Sequence, residues 1–311
     1  MQPPRRPSPL LASGTQWTLR HGNQVAVVTE VGATLRRFTS GAVDLVDGFE
    51  PEEFASGAAG QVLAPWPNRL EDGSFSFGGR SSQAGLDDPE GHCAIHGLVR
   101  WQPWRLHSLA QNQVMLGCTL YPSPHYPFAL ELEVEYHLGR EGLTVTTEIE
   151  NVGEDPSPLG LGFHPYLVVG EGIDDAELEC PATAEVLLDA RGLPTGQQRP
   201  VAGSDLDFRS PRRIGTVVLD ACVTGLARDG AARAWVTLSD RWRGRVVRLW
   251  VDDRFHYLQL YSGDTLAEPR RRRALAVEPM TCPPNALRTG RDLVVLEPGQ
   301  RWRAQWGLQE G

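Results

Sequence analysis

Apolar and polar residues alternate with a period of two along much of the chain. The clearest case is LELEVEYHL at residues 130–138, in which every second side chain is apolar. This alternation is typical of an antiparallel strand with one buried face. Residues 139–142, GREG, provide a turn, and residues 143–150 alternate again. The two segments together predict a β-hairpin.

Short segments of the same character recur, separated by clusters of Gly, Pro, Asn and Asp. They are residues 25–31, 113–121, 235–238, 246–251, 257–261, 274–278 and 302–307. Many short strands with turn signals between them predict an all-β fold, a large sandwich or barrel. No linker or charge block divides the chain. We therefore expect a single domain at residues 15–311 after a flexible Pro-rich tail at residues 1–14.

Charge and composition exclude several classes of function. The 311 residues carry a net charge of −9, which is unfavourable for binding a nucleic-acid backbone. All 30 basic residues are arginine, so the chain has neither a lysine for a Schiff base nor the lysine of a P-loop. No stretch approaches the roughly 18 apolar residues of a membrane span. We expect no nucleic-acid partner and no membrane association.

Cysteine usage and the first residues favour a cytoplasmic protein. The five cysteines are scattered without a Cys-x-x-Cys pair, which indicates reduced thiols and no disulfide framework. The opening sequence MQPPRRPSPLLASG lacks the apolar core of a secretory signal.

For the oligomeric state, we expect a monomer or a homodimer.

Four segments place a polar or ionisable side chain among Pro, Gly and apolar neighbours. They are APWPNRL at residues 64–70, AIHGL at 94–98, GFHPY at 162–166 and VEPMTCPPNA at 277–286. A rigid backbone fixes such a side chain, and burial can shift its pKa. Loops of this kind on a β scaffold commonly carry binding and catalytic sites.

Glu278 and His164 are the candidates for proton transfer. Glu278 ends an apolar run and precedes Pro279, so its carboxylate is stiffly placed. A raised pKa and a fixed position suit a general base; a strand-end glutamate paired with an arginine is the structural alternative. His164 carries an imidazole that can move a proton near neutral pH, or it is a buried histidine that donates to a backbone carbonyl.

Asn68, Arg69 and His96 are candidates for holding a polar ligand. Arg69 can donate to two ligand oxygens at once, or it bonds loop carbonyls as a structural residue. His92, Cys93 and His96 are of the types that bind zinc, but no second pair with ligand spacing follows, and adjacent strand residues point to opposite faces. We therefore expect His96 to hydrogen-bond a ligand, and we expect no metal site.

Three other features have simpler interpretations. The run RRRR at residues 270–273 is interpreted as a solvated loop, with a phosphate-binding patch as the alternative. Trp66 packs in the core or lays its ring against a ligand. Cys282 has no partner that marks a nucleophile and is assigned to packing.

Taken in this order, the four segments resemble the aldose 1-epimerase, or galactose mutarotase, family over about residues 17–306. The resemblance is to an uncharacterised bacterial branch that carries Pro-Trp-Pro-Asn-Arg and Glu-Pro-Met-Thr-Cys-Pro-Pro-Asn. It implies a large twisted antiparallel β-sandwich, the galactose mutarotase-like supersandwich, with the sugar in a groove on one face. It also implies interconversion of the α and β anomers of a free aldose without cofactor or metal.

The resemblance further implies roles for individual residues. Glu278 matches the general base of the family and His164 its general acid. Arg69 and His96 match residues that hold sugar hydroxyls, and Asp220 falls where the family has a sugar-binding aspartate.

Other functions stay open at this point. The scaffold can serve a non-catalytic carbohydrate-binding or sensor protein, or a hexose-phosphate mutarotase supported locally by the basic run. A glycosidase would need Glu278 and a second carboxylate such as Asp220 at roughly 5–10 Å. Leu98, and the LVVG that follows His-Pro-Tyr, depart from galactose-active members and weigh against galactose as the natural substrate.

Overall fold

The computed structural model describes residues 10–311, which fold almost entirely as β-strands. Strands β1 to β14 are Gln16–His21, Gln24–Thr29, Leu35–Ser40, Val43–Asp44, Val62–Leu63, Arg69–Glu71, Ser74–Phe77, Arg80–Gln83, Cys93–Ile95, Arg105–Ala110, Gln113–Leu120, Leu130–Gly139, Gly142–Asn151 and Ser157–Leu159. Strands β15 to β27 are Gly162–Phe163, Tyr166–Leu167, Glu177–Glu179, Ala184–Leu188, Pro194–Pro200, Arg212–Arg213, Asp220–Thr224, Ala234–Asp240, Arg245–Val251, Tyr257–Tyr261, Leu275–Met280, Val294–Leu296 and Arg301–Glu310. The helical segments are a 3-10 turn at Ser56–Ala58 and the short helix α1 at Ala286–Thr289.

Two large antiparallel sheets form the body of the molecule. One has nine strands in the order β10-β11-β12-β13-β27-β23-β22-β17-β20. The other has eight, in the order β19-β18-β21-β24-β25-β15-β5 with β16 also paired to β25. A four-stranded sheet, β1 to β4, and three strand pairs complete the fold. The predicted all-β sandwich is confirmed, and no helix of residues 10–311 has the length and apolar character needed to cross a membrane.

The predicted hairpin is the pair β12–β13 in the nine-stranded sheet. Its register runs from Leu130 opposite Asn151 to Gly139 opposite Gly142. The alternating apolar side chains of β12 are completely buried, whereas the glutamates between them are half-buried. Each buried side chain of this size contributes about 1.5–3 kcal/mol by leaving water. The alternation in the sequence therefore sets which face of the sheet joins the core.

The two large sheets pack face to face and leave one face of the eight-stranded sheet for loops. The rings of Phe163 on β15 and Trp306 on β27 lie 5.1 Å apart between the sheets. Val277 on β25 belongs to the same core cluster. Because successive side chains of a strand point to opposite faces, His164 and Glu278 project from the other face.

A close backbone approach fastens the loops that cover this face. Gly97 has a φ of +73° and forms an isolated bridge with Ala64. A Cβ on Gly97 would lie 2.1 Å from the Ala64 carbonyl oxygen. The next residue, Leu98, donates its N–H to that oxygen at 2.7 Å. The residue at position 97 must therefore be glycine for the AIHGL and APWPNRL segments to meet.

The basic run at residues 270–273 is only in part the solvated loop that the sequence suggested, because Arg271 and Arg273 are exposed whereas Arg270 and Arg272 are half-buried. Arg270 pairs with Asp47, and Arg272 pairs with Asp174 and Asp264 at 2.7 and 2.9 Å. The Arg272 side chain is only 17% exposed. Carboxylates from separate loops neutralise these guanidinium groups, so the run acts as a tie between loops.

Other residues singled out in the sequence are packed in the interior. Trp66 is 2% exposed within the main core, which agrees with the packing interpretation and leaves no ring surface for a ligand. Each of the five cysteines is a buried free thiol, Cys282 included. Residues 1–9 of the predicted tail lie outside the described residues. Ser13 is already buried, and its hydroxyl donates to the Pro51 carbonyl at 2.7 Å.

Gly97→Ala is expected to destabilise the fold more than Gly22→Ala. Both glycines have positive φ, +73° and +57°, so both substitutions introduce backbone strain. Nothing lies within 4 Å of a Cβ on Gly22, whereas Gly97 meets the Ala64 carbonyl. We expect losses in the free energy of unfolding of about 1 kcal/mol at Gly22 and about 3 kcal/mol at Gly97. Urea unfolding measures both; equal losses would contradict the close approach.

Candidate active site

Three neighbouring strands of the eight-stranded sheet present polar side chains on the same face. In the register of β24 and β25, Gln259 lies opposite Glu278. In the register of β21 and β24, Asp220 lies opposite Tyr261. Directly opposed residues share a face, as do residues two apart in a strand. The pairing therefore brings all four side chains together, and Gln259 Nε2 donates to Asp220 Oδ1 at 2.6 Å.

His164 enters the site through a break between two short strands. Gly162 on β15 pairs with Met280, and Tyr166 on β16 pairs with Ala276. The same register places His164 opposite Glu278. Its Nε2 lies 3.2 Å from Glu278 Oε1, with both side chains almost completely buried.

Tyr166 supports the His164 ring from one side. The two rings are stacked with centroids 4.9 Å apart. The Tyr166 hydroxyl donates to the Gly57 carbonyl at 3.0 Å and so ties the 3-10 turn to the site. His164 also meets the edge of the His96 ring at a centroid distance of 5.3 Å. The imidazole is therefore fixed in orientation by its neighbours.

His96 and Asn68 form a reciprocal contact at the start of the β6–β9 pair. Both have left-handed backbones, with φ of +65° and +55°. The His96 N–H donates to the Asn68 carbonyl at 2.9 Å, and the Asn68 N–H donates to His96 Nδ1 at 3.2 Å. Since a backbone N–H can only donate, Nδ1 must be the acceptor. The neutral His96 ring therefore carries its proton on Nε2.

Arg69 is oriented by Asp88 and by a glycine. Its Nε donates to Asp88 Oδ2 at 2.7 Å, which leaves both Nη groups for other acceptors. A Cβ on Gly192 would lie 2.5 Å from Nη1 of Arg69, so that glycine provides the room for the guanidinium. Asn68 Oδ1 accepts from the Arg69 backbone N–H at 2.8 Å. Asn68 therefore shapes the loop through Oδ1, while the residue also lines the cavity.

These side chains line one cavity of about 460 Å³. It contains all six residues selected from the sequence, namely Asn68, Arg69, His96, His164, Asp220 and Glu278. Phe54, Trp101, Gln259 and Tyr261 also line it and were missed. One signal was available for Gln259, since it is a single amide inside the otherwise buried apolar strand YLQLY. Phe54 and Trp101 lie in ordinary loop sequence, which contains no signal of this kind.

The chemistry of the pair is governed by burial. Loss of hydration raises the pKa of Glu278 well above its ordinary 4.5; the charge of Asp220 raises it further, and Arg69 lowers it in part. Burial lowers the pKa of His164 to about 3, with Arg100 acting in the same direction. Burial therefore favours the uncharged form of each group, a state in which the pair shares one proton.

Buried polar atoms in the cavity are left without partners. Glu278 Oε2, His164 Nδ1 and Gln259 Oε1 have no hydrogen bond to any of residues 10–311. Within residues 10–311 Glu278 forms no ion pair with an arginine, so that structural alternative is not seen there. The His164 ring interacts with the backbone of its own residue, which raises its pKa in part. Buried atoms of this kind are costly unless a ligand or water meets them.

The metal trio considered in the sequence does not assemble. His92 is mostly exposed and contacts Asp72, away from His96. A different trio, His96, His164 and Glu278, has ligand-type atoms within 4.8 Å of one another. In the tautomer described above, His96 presents an N–H to the cavity and has no free lone pair for a cation. It is suited to donate to an oxygen.

Comparison with known proteins identifies the family of the chain. The model of the family described as aldose 1-epimerase matches residues 15–309, almost the whole chain. The chain belongs to the aldose 1-epimerase family. It is 33% identical over 306 residues to the uncharacterised protein YihR of Escherichia coli K12, covering 94% of this chain and 92% of that protein.

More distant relatives of this aldose 1-epimerase family member extend the comparison. A galactose mutarotase of Sus scrofa is 25% identical over 220 residues, covering 67% of this chain and 63% of that enzyme. The crystal structure of a GalM/aldose epimerase homologue from C. elegans superposes with a TM-score of 0.84. At 20% identity, covering 96% of this chain and 99% of that one, this structural likeness concerns the fold alone.

Glu278→Gln is expected to maintain or raise stability near neutral pH. A raised pKa means that the native state binds the proton more tightly than the unfolded chain does. The free energy of unfolding therefore decreases as pH rises above 4.5, the ordinary pKa of a glutamate. The decrease ends once pH exceeds the raised pKa of Glu278 in the native state. Glutamine does not titrate, so the free energy of unfolding of the variant should decrease less between about pH 5 and pH 8 than that of the unchanged protein.

Thermal unfolding across that range measures the effect. Glu185→Gln is the control, because it removes a buried carboxylate that pairs with Arg199 at 2.6 Å and should lower stability. An equal loss of stability in both variants would show that no burial penalty exists at Glu278.

Proposed function

We propose that this protein is a mutarotase that interconverts the α and β anomers of a free aldose by general acid–base ring opening. The observation that carries the proposal is the buried Glu278–His164 pair, 3.2 Å apart and facing a cavity lined by hydrogen-bonding side chains. Membership of the aldose 1-epimerase family supports it.

The reaction requires two proton movements. Opening a hemiacetal ring removes a proton from the O1 hydroxyl and delivers one to the ring oxygen. In the proposal the shared proton first passes from Glu278 Oε1 to His164 Nε2, 3.2 Å away. The Glu278 carboxylate then accepts the proton of O1, and Nε2 of His164 donates its proton to the ring oxygen. The C1–O5 bond breaks, O1 becomes the aldehyde oxygen, and the pair still holds one proton in total. Rotation about C1–C2 and closure with reversed transfers give the other anomer. Each well-placed transfer contributes about 10²–10⁴-fold in rate.

The other cavity residues are proposed to hold the sugar. Arg69, aligned by Asp88, donates to hydroxyl oxygens through its Nη groups. His96 donates through Nε2, as its contact with Asn68 dictates. Asp220 accepts from a hydroxyl, because Gln259 occupies only one of its oxygens. Asn68 positions the loop through Oδ1, and its Nδ2 is proposed to donate to a sugar hydroxyl.

The hexose-phosphate alternative has lost its local support. Arg270 and Arg272 are paired with carboxylates and do not line the cavity. We infer that the substrate is an unphosphorylated sugar. We also infer a cytoplasmic location, supported by the buried free thiols, and a single domain over residues 15–311.

Glu278→Gln and His164→Gln should each lower kcat by about 10²–10⁴-fold, because each removes one proton transfer. Optical rotation of freshly dissolved α-anomers of glucose, galactose, xylose and arabinose measures the rate. Glu185→Gln, a buried glutamate on β18 outside the cavity, should keep full activity. A folded protein that binds sugar in a calorimeter but accelerates none of these exchanges would instead be a sensor.

The pH profile should lack the usual histidine transition. The active pair holds one proton; it gains a second only as pH falls to about 3, the lowered pKa of His164. It loses the last one as pH rises through the raised pKa of Glu278. We expect kcat/KM to stay level as pH falls through 6.5, the ordinary value for histidine. A loss of activity centred near 6.5 would contradict the burial of this imidazole.

A further inference from the structure

The loop between β18 and β19, residues 189–193, lies against Arg69 from outside the cavity. A Cβ on Gly192 in this loop would lie 2.5 Å from Nη1, 3.0 Å from Cζ and 3.2 Å from Cδ of Arg69. Arg69 lines the cavity, whereas Gly192 does not. The loop backbone therefore limits how far the guanidinium can turn away from the cavity.

A second backbone segment fixes Asp88, the ion-pair partner of Arg69. Asp88 Oδ2 accepts from Arg69 Nε at 2.7 Å, and Asp88 Oδ1 accepts from the Gly91 N–H at 3.3 Å. A Cβ on Gly91 would lie 2.4 Å from Asp88 Oδ2 and 3.3 Å from Arg69 Nε. The backbones at Gly91 and Gly192 therefore both lie directly against the Arg69–Asp88 pair.

The side chain of Arg191 joins these two backbones. Arg191 directly precedes Gly192 in the chain. All three of its guanidinium nitrogens donate to the facing segments: Nε to the Gly91 carbonyl at 2.9 Å, Nη2 to the His92 carbonyl at 3.1 Å and to Asp72 Oδ1 at 2.7 Å, and Nη1 to Glu71 Oε1 at 3.4 Å. A planar guanidinium is suited to hold several acceptors in fixed directions at once.

The placement of these contacts distinguishes Arg191 from an ordinary surface arginine. An exposed ion pair adds little to stability, and the Arg191 side chain is 35% exposed. Its four acceptors, however, lie 99 to 120 positions away and belong to the segments around Arg69 and Asp88. A group that binds a ligand is effective only when the residues around it hold its orientation. We therefore expect the main effect of Arg191 on the orientation of Arg69 and not on the stability of the fold.

We propose that Arg191 is a positioning residue, which holds the 189–193 loop against Arg69 and so directs the Arg69 guanidinium into the cavity. Arg191 does not itself line the cavity. This inference rests on the proposed mutarotase function, in which Arg69 holds sugar hydroxyls. The orientation of Arg69 can also be measured without sugar.

Arg191→Ala should raise KM about tenfold and leave kcat within about twofold, because the Glu278–His164 pair is unchanged and only the alignment of a sugar-holding group is lost. Arg199→Ala is the matched control. Arg199 lies on β19 of the same hairpin, pairs with Glu185 at 2.6 Å and does not line the cavity, so both constants should stay unchanged. Equal changes in the two variants, or a fall in kcat alone, would overturn the positioning role.

A double-mutant cycle tests whether the effect passes through Arg69. Once Arg69→Ala has removed the guanidinium, adding Arg191→Ala should change KM by less than about twofold, because the side chain that Arg191 positions is gone. A further tenfold rise on that background would show that Arg191 acts independently of Arg69, which contradicts the proposal.

Nuclear magnetic resonance of the sugar-free protein separates this inference from the mutarotase proposal. The Nε–H signal of Arg69, assigned by its loss in Arg69→Ala, reports the bond to Asp88. Its exchange with solvent should become several-fold faster in Arg191→Ala and stay unchanged in Arg199→Ala. Unchanged exchange in Arg191→Ala overturns the positioning role, whatever the activity. Absence of turnover with every sugar counts against the mutarotase function alone.

Discussion

Burial of a carboxyl and an imidazole against each other is the interaction on which the rest of the site depends. Neither Glu278 nor His164 has a charged residue in direct contact within residues 10–311 other than its partner, and each retains one unpaired polar atom. Little solvent reaches the pair, since the two side chains are only 6% and 3% exposed. Desolvation moves both pKa values toward the neutral forms. A pair that shares one proton is well suited to exchanging protons with a hemiacetal.

The positions of Glu278 and His164 are fixed because both residues belong to a stiff, regularly paired sheet. Glu278 is in the interior of β25, and its backbone is paired with β24. His164 is fixed by the register on either side of Pro165 and by the stacked ring of Tyr166. Proton transfer falls off steeply with misplacement, so regular pairing below and ring stacking beside the pair provide the pre-organisation. The cost of burying the pair is offset by the large apolar core on the other side of the sheet.

The loops above the sheet are held in place by the backbone conformations of a few residues and not by regular strand pairing. His96 and Asn68 adopt left-handed backbone conformations, and Gly97 permits the close contact with Ala64. These conformations hold the two loop segments against each other. Arg69 is aligned by Asp88 from yet another loop. In the proposed function the sheet carries the proton-transfer pair together with Asp220, and the loops carry the other contacts to the sugar.

The sequence by itself determined the fold class and the composition of the inner site. Alternation such as LELEVEYHL reveals which face is buried, since side chains in a strand alternate with a period of two. The rigid segments around Arg69, His96, His164 and Glu278 marked residues that the structure brings to one cavity. No local pattern indicates that arginines of residues 270–273 pair with carboxylates such as Asp47.

Only the tertiary structure determined protonation, exposure and ion pairing at the site and in the loops around it. The tautomer of His96 follows from a neighbour 28 positions away. Burial of Trp66, exposure of Trp101 and the ion pairs of the arginine run depend on which loops meet. Local patterns report the periodicity of one strand, whereas hydration and charge at a site are set by contacts between segments far apart in the chain. Such contacts leave no periodic trace in the sequence.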